Sequence, residues 1–184
     1  MTNDIFMIAS DIHGDSKTTE KLLERFEESG AERLVLLGDI LYHGPRNDLP
    51  DGYAPKRVIE LLNKYSDKIL CVRGNCDTEV DQMVLSFPIL ADYAYILADG
   101  LRIFATHGHK YNIEAMPPLA KGDILLHGHT HVPVAVAFGK DNLYINPGSV
   151  SIPKNDSHKG YIIYQSRRFD FCDLDGNIVN SIDV

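Results

Sequence analysis

The chain of 184 residues has the length of one compact domain, and its composition, 44% apolar and 24% charged, is that of a globular protein. Its apolar residues form no run of about 18, the length that a transmembrane helix needs, so we expect no membrane partner. A formal net charge of −8 argues against an extended nucleic acid as partner, because such binding usually depends on a basic surface. A small phosphate ester stays compatible with this charge if local cations offset it.

The first residues and the cysteines both indicate the cytoplasm. Residues 1–10 include an acidic side chain and enter an apolar run without the basic n-region or the cleavage site of a signal peptide. The cysteines, Cys71, Cys76 and Cys172, form neither a CxxC pair nor an even number, which is typical of a reducing compartment. We therefore expect free thiols in a cytoplasmic protein.

The first half of the chain predicts alternating strands and helices. Apolar runs indicate strands, and apolar side chains at helical spacing indicate helices, one ending at Gly30 and one beginning near Pro55. In chain order we predict a strand at 5–10, a helix at 16–28, a strand at 33–37, a helix at 54–65 and a strand at 68–72. Strands that alternate with helices in this way predict a parallel sheet.

The second half predicts short strands joined by turns. Strands at 93–97 and 101–106 flank Ala-Asp-Gly, and turns at 139–142 and 175–177 separate later strands. We predict the fold class α/β, with two packed mixed sheets flanked by helices as a four-layer α-β-β-α sandwich in a single domain. Residues 44–51, rich in Pro, Asn and Asp, predict a loop at the rim of a site.

Polar residues of metal-binding type follow five of the predicted strands. They are Asp11-Ile-His13, Gly38-Asp39, Gly74-Asn75-Cys76-Asp77, His107-Gly-His109 and His127-Gly-His129-Thr-His131. Because ligands collect outside the carboxyl ends of strands in open α/β sheets, we expect the five segments to meet. Carboxylate, amide and imidazole ligands suit Mn²⁺, Fe²⁺, Zn²⁺ or Ni²⁺. There are too many for one ion, so we predict two divalent ions about 3.5–4 Å apart, bridged by a carboxylate, which can stabilise a phosphoryl displacement.

Two of these segments hold ligands two residues apart. In an extended backbone, side chains at i and i+2 point to the same side, so Asp11 and His13 can face one centre, as can His129 and His131. For any one of these residues a turn, cap or core role is the more common explanation. The joint pattern is what indicates a site.

Taken in order from residue 11 to 131, the five segments resemble the calcineurin-like metallophosphoesterase superfamily, which carries Asp-x-His, Gly-Asp, Gly-Asn-His, a lone His and Gly-His-x-His. The chain length and the loop Gly-Asp-Ile-Leu-Tyr-His-Gly-Pro-Arg-Asn resemble its small bacterial and archaeal phosphodiesterases. The resemblance implies a bridging water whose pKa the ions lower enough to make it a nucleophile. It implies one ion on Asp11, His13 and His131, a second on Asn75, His107 and His129, and Asp39 as the bridge.

Two departures from the superfamily pattern concern the substrate. Cys76 stands where most members have a histidine that is credited with contacting phosphate and protonating the leaving group. A thiol is a weak proton donor, which favours esters with easily expelled leaving groups. Tyr42-His43 stands where protein Ser/Thr phosphatases have Asp-Arg, so a phosphate clamp is missing and His43 is the candidate to contact phosphate. His109 is a further candidate by its place in a site loop, whereas His127 matches no ligand of the superfamily and predicts a buried hydrogen-bonding role.

The resemblance implies a metal-dependent phosphodiesterase for small phosphate diesters, with two ions of which Mn²⁺ is favoured and Ni²⁺, Fe²⁺ or Zn²⁺ also suit the ligands. One alternative is a phosphomonoesterase or protein phosphatase. Another is a non-catalytic metal-binding scaffold, like the eukaryotic retromer subunit that resembles this fold but lacks a complete set of ligand histidines. Apolar strands such as Tyr161-Ile-Ile-Tyr predict pairing across subunits in a homo-oligomer.

Overall fold

The computed structural model describes residues 5–184, which form two mixed β-sheets packed face to face. The elements in chain order are β1 Ile5–Ala9, α1 Ser16–Ser29, β2 Arg33–Leu36, α2 Pro55–Asn63, β3 Ile69–Cys71, α3 Glu79–Gln82, β4 Tyr93–Ala98, β5 Leu101–Thr106, β6 Ile124–His127, β7 Pro133–Phe138, β8 Asn142–Pro147, β9 Gly160–Gln165, β10 Arg168–Asp173 and β11 Ile178–Asp183. Within these residues, one sheet has the strand order β11-β10-β9-β1-β2-β3 and the other β4-β5-β6-β8-β7. The predicted α/β class with two mixed sheets is confirmed.

The first two helices begin and end within two residues of the predicted bounds. The Asp15 side chain caps α1 by accepting hydrogen bonds from the backbone N–H groups of Lys17 and Thr18, at 3.0 and 3.2 Å. Gly30 ends α1 with a left-handed φ of 71°, and Pro55 is the first residue of α2. The short helix α3 is not predicted from the sequence. None of the helices in residues 5–184 is long and apolar enough to cross a bilayer.

Parallel strands set the position of the candidate site. In the first sheet β1, β2 and β3 run parallel, and in the second β5, β6 and β8 do. The helices α1 and α2 are the crossover connections that parallel neighbours require. The segments that follow these strands meet at one end of the sandwich, where all seven predicted ligands lie.

Apolar side chains fill the space between the sheets and cover both outer faces. Inward-facing residues of both sheets form the central core, among them Ile8, Val35, Ile103, Leu126 and Ile162. The helices α1 and α2 cover the outer face of the six-stranded sheet. Over the five-stranded sheet, Tyr111 and Leu119 of segment 107–123 pack on Phe104 and Leu125. This outer layer is a loop rather than a helix, because the segment lacks the apolar periodicity of a helix.

The strand β9 contains the Tyr161-Ile-Ile-Tyr run for which the sequence predicts pairing across subunits. It lies between β1 and β10, so both of its edges are hydrogen-bonded within the sheet. Tyr161 and Tyr164 are buried. The prediction that this strand pairs across subunits is therefore wrong, because an apolar run in a central strand cannot be distinguished from one in an edge strand by composition. The homo-oligomer itself stays a prediction.

Candidate metal centre

The seven predicted ligands come together at the carboxyl ends of five parallel strands. Asp11 and His13 follow β1, Asp39 follows β2, Asn75 follows β3, His107 follows β5, and His129 and His131 follow β6. Five of them, His13, Asp39, Asn75, His129 and His131, line a cavity of about 330 Å³. Asp11 and His107 are completely buried behind it.

The first group of ligands consists of Asp11, His13 and His131. Asp11 Oδ1 lies 3.5 Å from His13 Nε2 and 3.3 Å from His131 Nε2, and the two Nε2 atoms are 3.3 Å apart. His13 Nδ1–H donates to the Tyr42 carbonyl at 2.8 Å, and His131 Nδ1–H donates to the Ile152 carbonyl at 2.6 Å. Because a carbonyl can only accept, each Nδ1 carries a hydrogen, so Nε2 is the ring atom that each histidine can offer to a cation.

The carboxylate of Asp11 has one oxygen without a hydrogen-bond donor among the described residues. Its Oδ2 accepts hydrogen bonds from Ser10 Oγ at 2.7 Å and from the His129 backbone N–H at 2.9 Å. Its Oδ1 is buried and accepts none from residues 5–184. Burial raises the pKa of Asp11, but the neighbouring imidazoles, first that of His107, outweigh burial and hold this pKa well below its usual value. An anionic oxygen that faces two lone pairs fits a bound cation.

The second group of ligands also presents acceptors to one another. His107 Nε2 lies 3.1 Å from both Asn75 Oδ1 and His129 Nδ1, while His107 Nδ1–H donates to the Leu37 carbonyl at 2.7 Å. The Asn75 amide nitrogen donates to Cys76 Sγ at 3.2 Å, which turns its oxygen towards the group. Burial, helped by His107, lowers the pKa of His129 to about 4, so this ring is neutral near pH 7. These atoms also fit a cation.

Asp39 lies between the two groups. Its Oδ2 is 3.8 Å from His13 Nε2 and 3.5 Å from His107 Nε2. Its Oδ1 accepts a hydrogen bond from the Cys76 backbone N–H at 2.8 Å, which leaves Oδ2 to face both groups. Ligand atoms of Asp11, Asp39 and His107 all lie within 4.8 Å of one another. The arrangement matches a carboxylate shared by two adjacent cations.

The backbone of the ligand loops is left-handed rather than extended. The residues with positive φ are Asp11 at 57°, His13 at 51°, Asp39 at 56°, His129 at 67° and His131 at 63°. Such a conformation costs about 1–2 kcal/mol for each residue with a Cβ atom. The sequence predicts that ligands at positions i and i+2 share a side because the backbone is extended. The backbone is not extended, so this reason is wrong. The side chains face one centre because each loop turns back through these residues.

Backbone hydrogen bonds between neighbouring loops hold this conformation. The N–H groups of Asp11, His13 and Gly14 donate to the carbonyls of Gly38, Asp39 and Ile40 at 3.1, 2.9 and 2.9 Å. The loop after β8 also contributes, since Ser149 Oγ and Ser151 Oγ donate to the Asp11 carbonyl at 2.8 and 3.0 Å. Positive φ at non-glycine residues persists when surrounding contacts determine it, and such residues cluster at functional sites.

Asp77 is a buried residue that fixes Asp39, and the sequence does not single it out. Its Oδ2 accepts hydrogen bonds from the backbone N–H groups of Asp39 at 2.8 Å and Gly74 at 2.7 Å. Its Oδ1 accepts one from Ile40 N–H at 2.9 Å. One carboxylate therefore connects the loops after β2 and β3. The only signal in the sequence is an acidic residue close behind a predicted ligand, which is common in turns.

The three candidate catalytic residues occupy different positions. Cys76 lines the cavity, and burial together with the charge of Asp39 raises the pKa of its thiol far above the usual value, so it stays protonated. His43 does not line the cavity; its ring packs edge-on against Tyr42 and Tyr53, with centroids 4.7 and 5.4 Å away. The structure thus does not bring His43 to the ligands.

His109 and His127 both lie near the ligands without joining either group. The ring of His109 is half-buried, with its centroid 5.4 Å from that of His107, and it does not line the cavity. His127 is buried, stacks on Tyr144 with centroids 4.4 Å apart, and donates from Nδ1 to the Gly128 carbonyl at 3.0 Å. Burial lowers the pKa of His127 to about 4. His127 is therefore a neutral, buried hydrogen-bonding residue.

Two exposed basic side chains at the rim of the cavity are not predicted from the sequence. Arg46 and Lys154 line the cavity, and neither side chain forms an ion pair within residues 5–184. Arg46 lies in the predicted rim loop 44–51, so its basic side chain was the available signal. Lys154 lies in the loop after β8, where Asn146-Pro-Gly-Ser marks a sixth strand end. They give a locally basic rim to a protein of net charge −8.

Comparison with known proteins places this geometry in a family. Residues 5–168 match the calcineurin-like phosphoesterase superfamily domain. Phosphodiesterase YfcE of Escherichia coli (strain K12) is 54% identical over 155 residues, which are 84% of each chain. A solved structure of the E. coli phosphoesterase Yfce superposes with a TM-score of 0.93 and 48% identity, covering 97% of this chain and 98% of that one. Vacuolar Protein Sorting 29 from Cryptosporidium parvum, with a TM-score of 0.63, 16% identity and 99% of both chains covered, shares the fold.

Proposed function

We propose that this chain, which belongs to the calcineurin-like phosphoesterase superfamily and is therefore a phosphate ester hydrolase, is a binuclear metal-dependent phosphodiesterase for small diesters. The observation that carries the proposal is the pair of groups built from carboxylate, amide and imidazole side chains, with Asp39 between them. Similarity to a protein named as a phosphodiesterase supports the choice of diesters.

Each ligand has a proposed role at one of two ions, for which we favour Mn²⁺ because imidazole, amide and carboxylate ligands suit it. Bound divalent ions would polarise the phosphoryl oxygens and lower the pKa of coordinated water towards neutrality. Asp11, His13 and His131 would hold one ion, Asn75, His107 and His129 would hold the other, and Asp39 would contact both. The backbone carbonyls that accept from the Nδ1–H groups orient the rings of His13, His107 and His131.

The remaining residues of the cavity act on the substrate. Arg46 and Lys154 contact the anionic phosphate from the rim. They compensate for the arginine that protein phosphatases have at the position of His43. Cys76 remains a neutral thiol in the wall of the cavity and is a weak proton donor. Little protonation is needed when the leaving alcohol is acidic. The site is therefore suited to diesters with acidic leaving groups.

The overall charge and the cysteines support the expected setting. The net charge of −8 favours a small substrate over a polynucleotide, since only the rim of the cavity is basic. The three cysteines are free thiols, which is typical of the reducing cytoplasm that we propose as the location.

The proposal is tested by measuring hydrolysis of bis(p-nitrophenyl) phosphate and of p-nitrophenyl phosphate by metal-depleted protein. Each ester is assayed without metal and after addition of Mn²⁺, Ni²⁺, Mg²⁺ or Zn²⁺. We expect no turnover without metal, and a kcat/KM for the diester at least about tenfold above that for the monoester with the best ion. A faster monoester reaction would favour the phosphomonoesterase alternative. Bound metal without hydrolysis of either ester would favour the scaffold alternative.

A further inference from the structure

A shallow apolar groove lies beside the candidate metal centre. Its volume is about 390 Å³, and its apolar wall consists of Tyr42, Tyr53, Ile59, Val80 and Val84. Cys76 lines both this groove and the cavity of the metal centre. The two spaces are therefore neighbours that share one wall residue.

The groove exposes apolar side chains that a hydrophobic ligand would cover. Val80 is 69% exposed, Val84 44% and Tyr42 42%. The capping box of α3, in which Thr78 and Asp81 exchange hydrogen bonds, holds the short helix that carries Val80. Clustered apolar groups on a surface, beside a polar site, mark places where a ligand or partner binds.

The groove has a fixed position relative to the ligands. The Tyr42 carbonyl accepts the hydrogen bond from His13 Nδ1 at 2.8 Å, while the Tyr42 side chain lines the groove. On the other side, the Cys76 backbone N–H donates to Asp39. The two residues that separate the groove from the cavity are thus each tied to a predicted ligand.

We propose that the groove binds an apolar ester group of the substrate. This inference rests on the proposed phosphodiesterase function and names its substrate class: phosphate diesters with at least one aromatic or long aliphatic ester group. Cys76 belongs to both the groove and the cavity of the metal centre. A molecule bound at the metal centre can therefore contact both, which favours a substrate group over a protein partner as the occupant of the groove.

Phosphonates test the groove without turnover, since their phosphorus group can bind the metal centre while the substituent points into the groove. Calorimetry on the Mn²⁺-loaded protein should give phenylphosphonate an affinity about tenfold higher than methylphosphonate, from burial of part of the ring. In a Val80→Ser/Val84→Ser variant this ratio should fall to about twofold. A control variant, Val136→Ser/Val179→Ser, changes two valines that are each 48% exposed and lie on β7 and β11, and should keep the wild-type ratio.

Equal affinities in the wild type, or an unchanged ratio in the groove variant, would overturn the inference, while binding of methylphosphonate would leave the proposed function intact. Failure of both phosphonates to bind would overturn the proposed function and the groove with it. Size-exclusion chromatography separates a third case: an oligomer that dissociates in the groove variant, with no change in the ratio, would make the groove a subunit interface instead.

Discussion

Replacing Asp77 with asparagine should destabilise the fold and weaken metal binding together. The Asp77 carboxylate accepts three backbone hydrogen bonds, at 2.8 Å from Asp39, 2.9 Å from Ile40 and 2.7 Å from Gly74. An asparagine has one oxygen, so in either orientation its NH₂ group faces at least one buried N–H. An unsatisfied buried donor costs about 1–3 kcal/mol, and losing the charge weakens the remaining bonds. We therefore expect a loss of about 2–4 kcal/mol in the free energy of unfolding.

The same substitution should also weaken metal binding, because it affects the position of Asp39. Because Asp77 holds the Asp39 backbone, its loss should lower Mn²⁺ affinity by about 10–100-fold, the range usual for residues that orient metal ligands. Urea unfolding of the metal-free protein measures the first effect, and Mn²⁺ titration calorimetry measures the second. Asp51→Asn, an exposed aspartate of the rim loop, is the control and should change neither. An Asp77→Asn protein with wild-type stability and wild-type Mn²⁺ affinity would refute this reasoning.

Three further substitutions test individual contacts. Gly128→Ala places a Cβ against Ser10 Oγ, which donates to Asp11, and 2.7 Å from Asp11 Oδ2, so Mn²⁺ affinity by calorimetry should fall at least about tenfold; an unchanged affinity would mean that Ser10 and the carboxylate are free to move. Cys76→His supplies a better proton donor, so the rate with p-nitrophenyl phosphate should rise about tenfold or more, and an equal rate would count against the thiol as a weak acid. His129→Ala should abolish one ion in metal analysis, whereas His127→Ala should retain both; equal losses would contradict the division between these two histidines.

The ligands could be predicted from sequence because their signal is short-range. Each ligand follows an apolar strand, and parallel strands bring their carboxyl ends together whatever the loop conformation. Loop conformation itself was not predictable, since left-handed φ at Asp11 or His131 depends on hydrogen bonds to other loops. Extended spacing and a tight left-handed turn both put residues i and i+2 near one centre, so their proximity was predicted from an incorrect backbone.

The residues that the sequence did not reveal are those whose role depends on contacts with distant segments of the chain. Asp77 matters through the partners of its carboxylate, and Lys154 through the position of the loop after β8. Neither has a local pattern that separates it from an ordinary turn residue. For His43, its place in the resembling block predicts phosphate contact, whereas the structure shows its ring packed on Tyr53. Packing of this kind depends on which aromatic side chain a distant segment supplies.

The number of Mn²⁺ ions bound per chain tests the binuclear centre most directly. Equilibrium dialysis of metal-depleted protein against Mn²⁺, followed by elemental analysis, should saturate at two ions per chain for the wild type, as the two ligand groups require. Asp39→Asn removes the charge of the shared carboxylate and should saturate below two. Saturation of the wild type at a single ion, or an Asp39→Asn variant that still binds two with wild-type affinity, would contradict a centre bridged by Asp39.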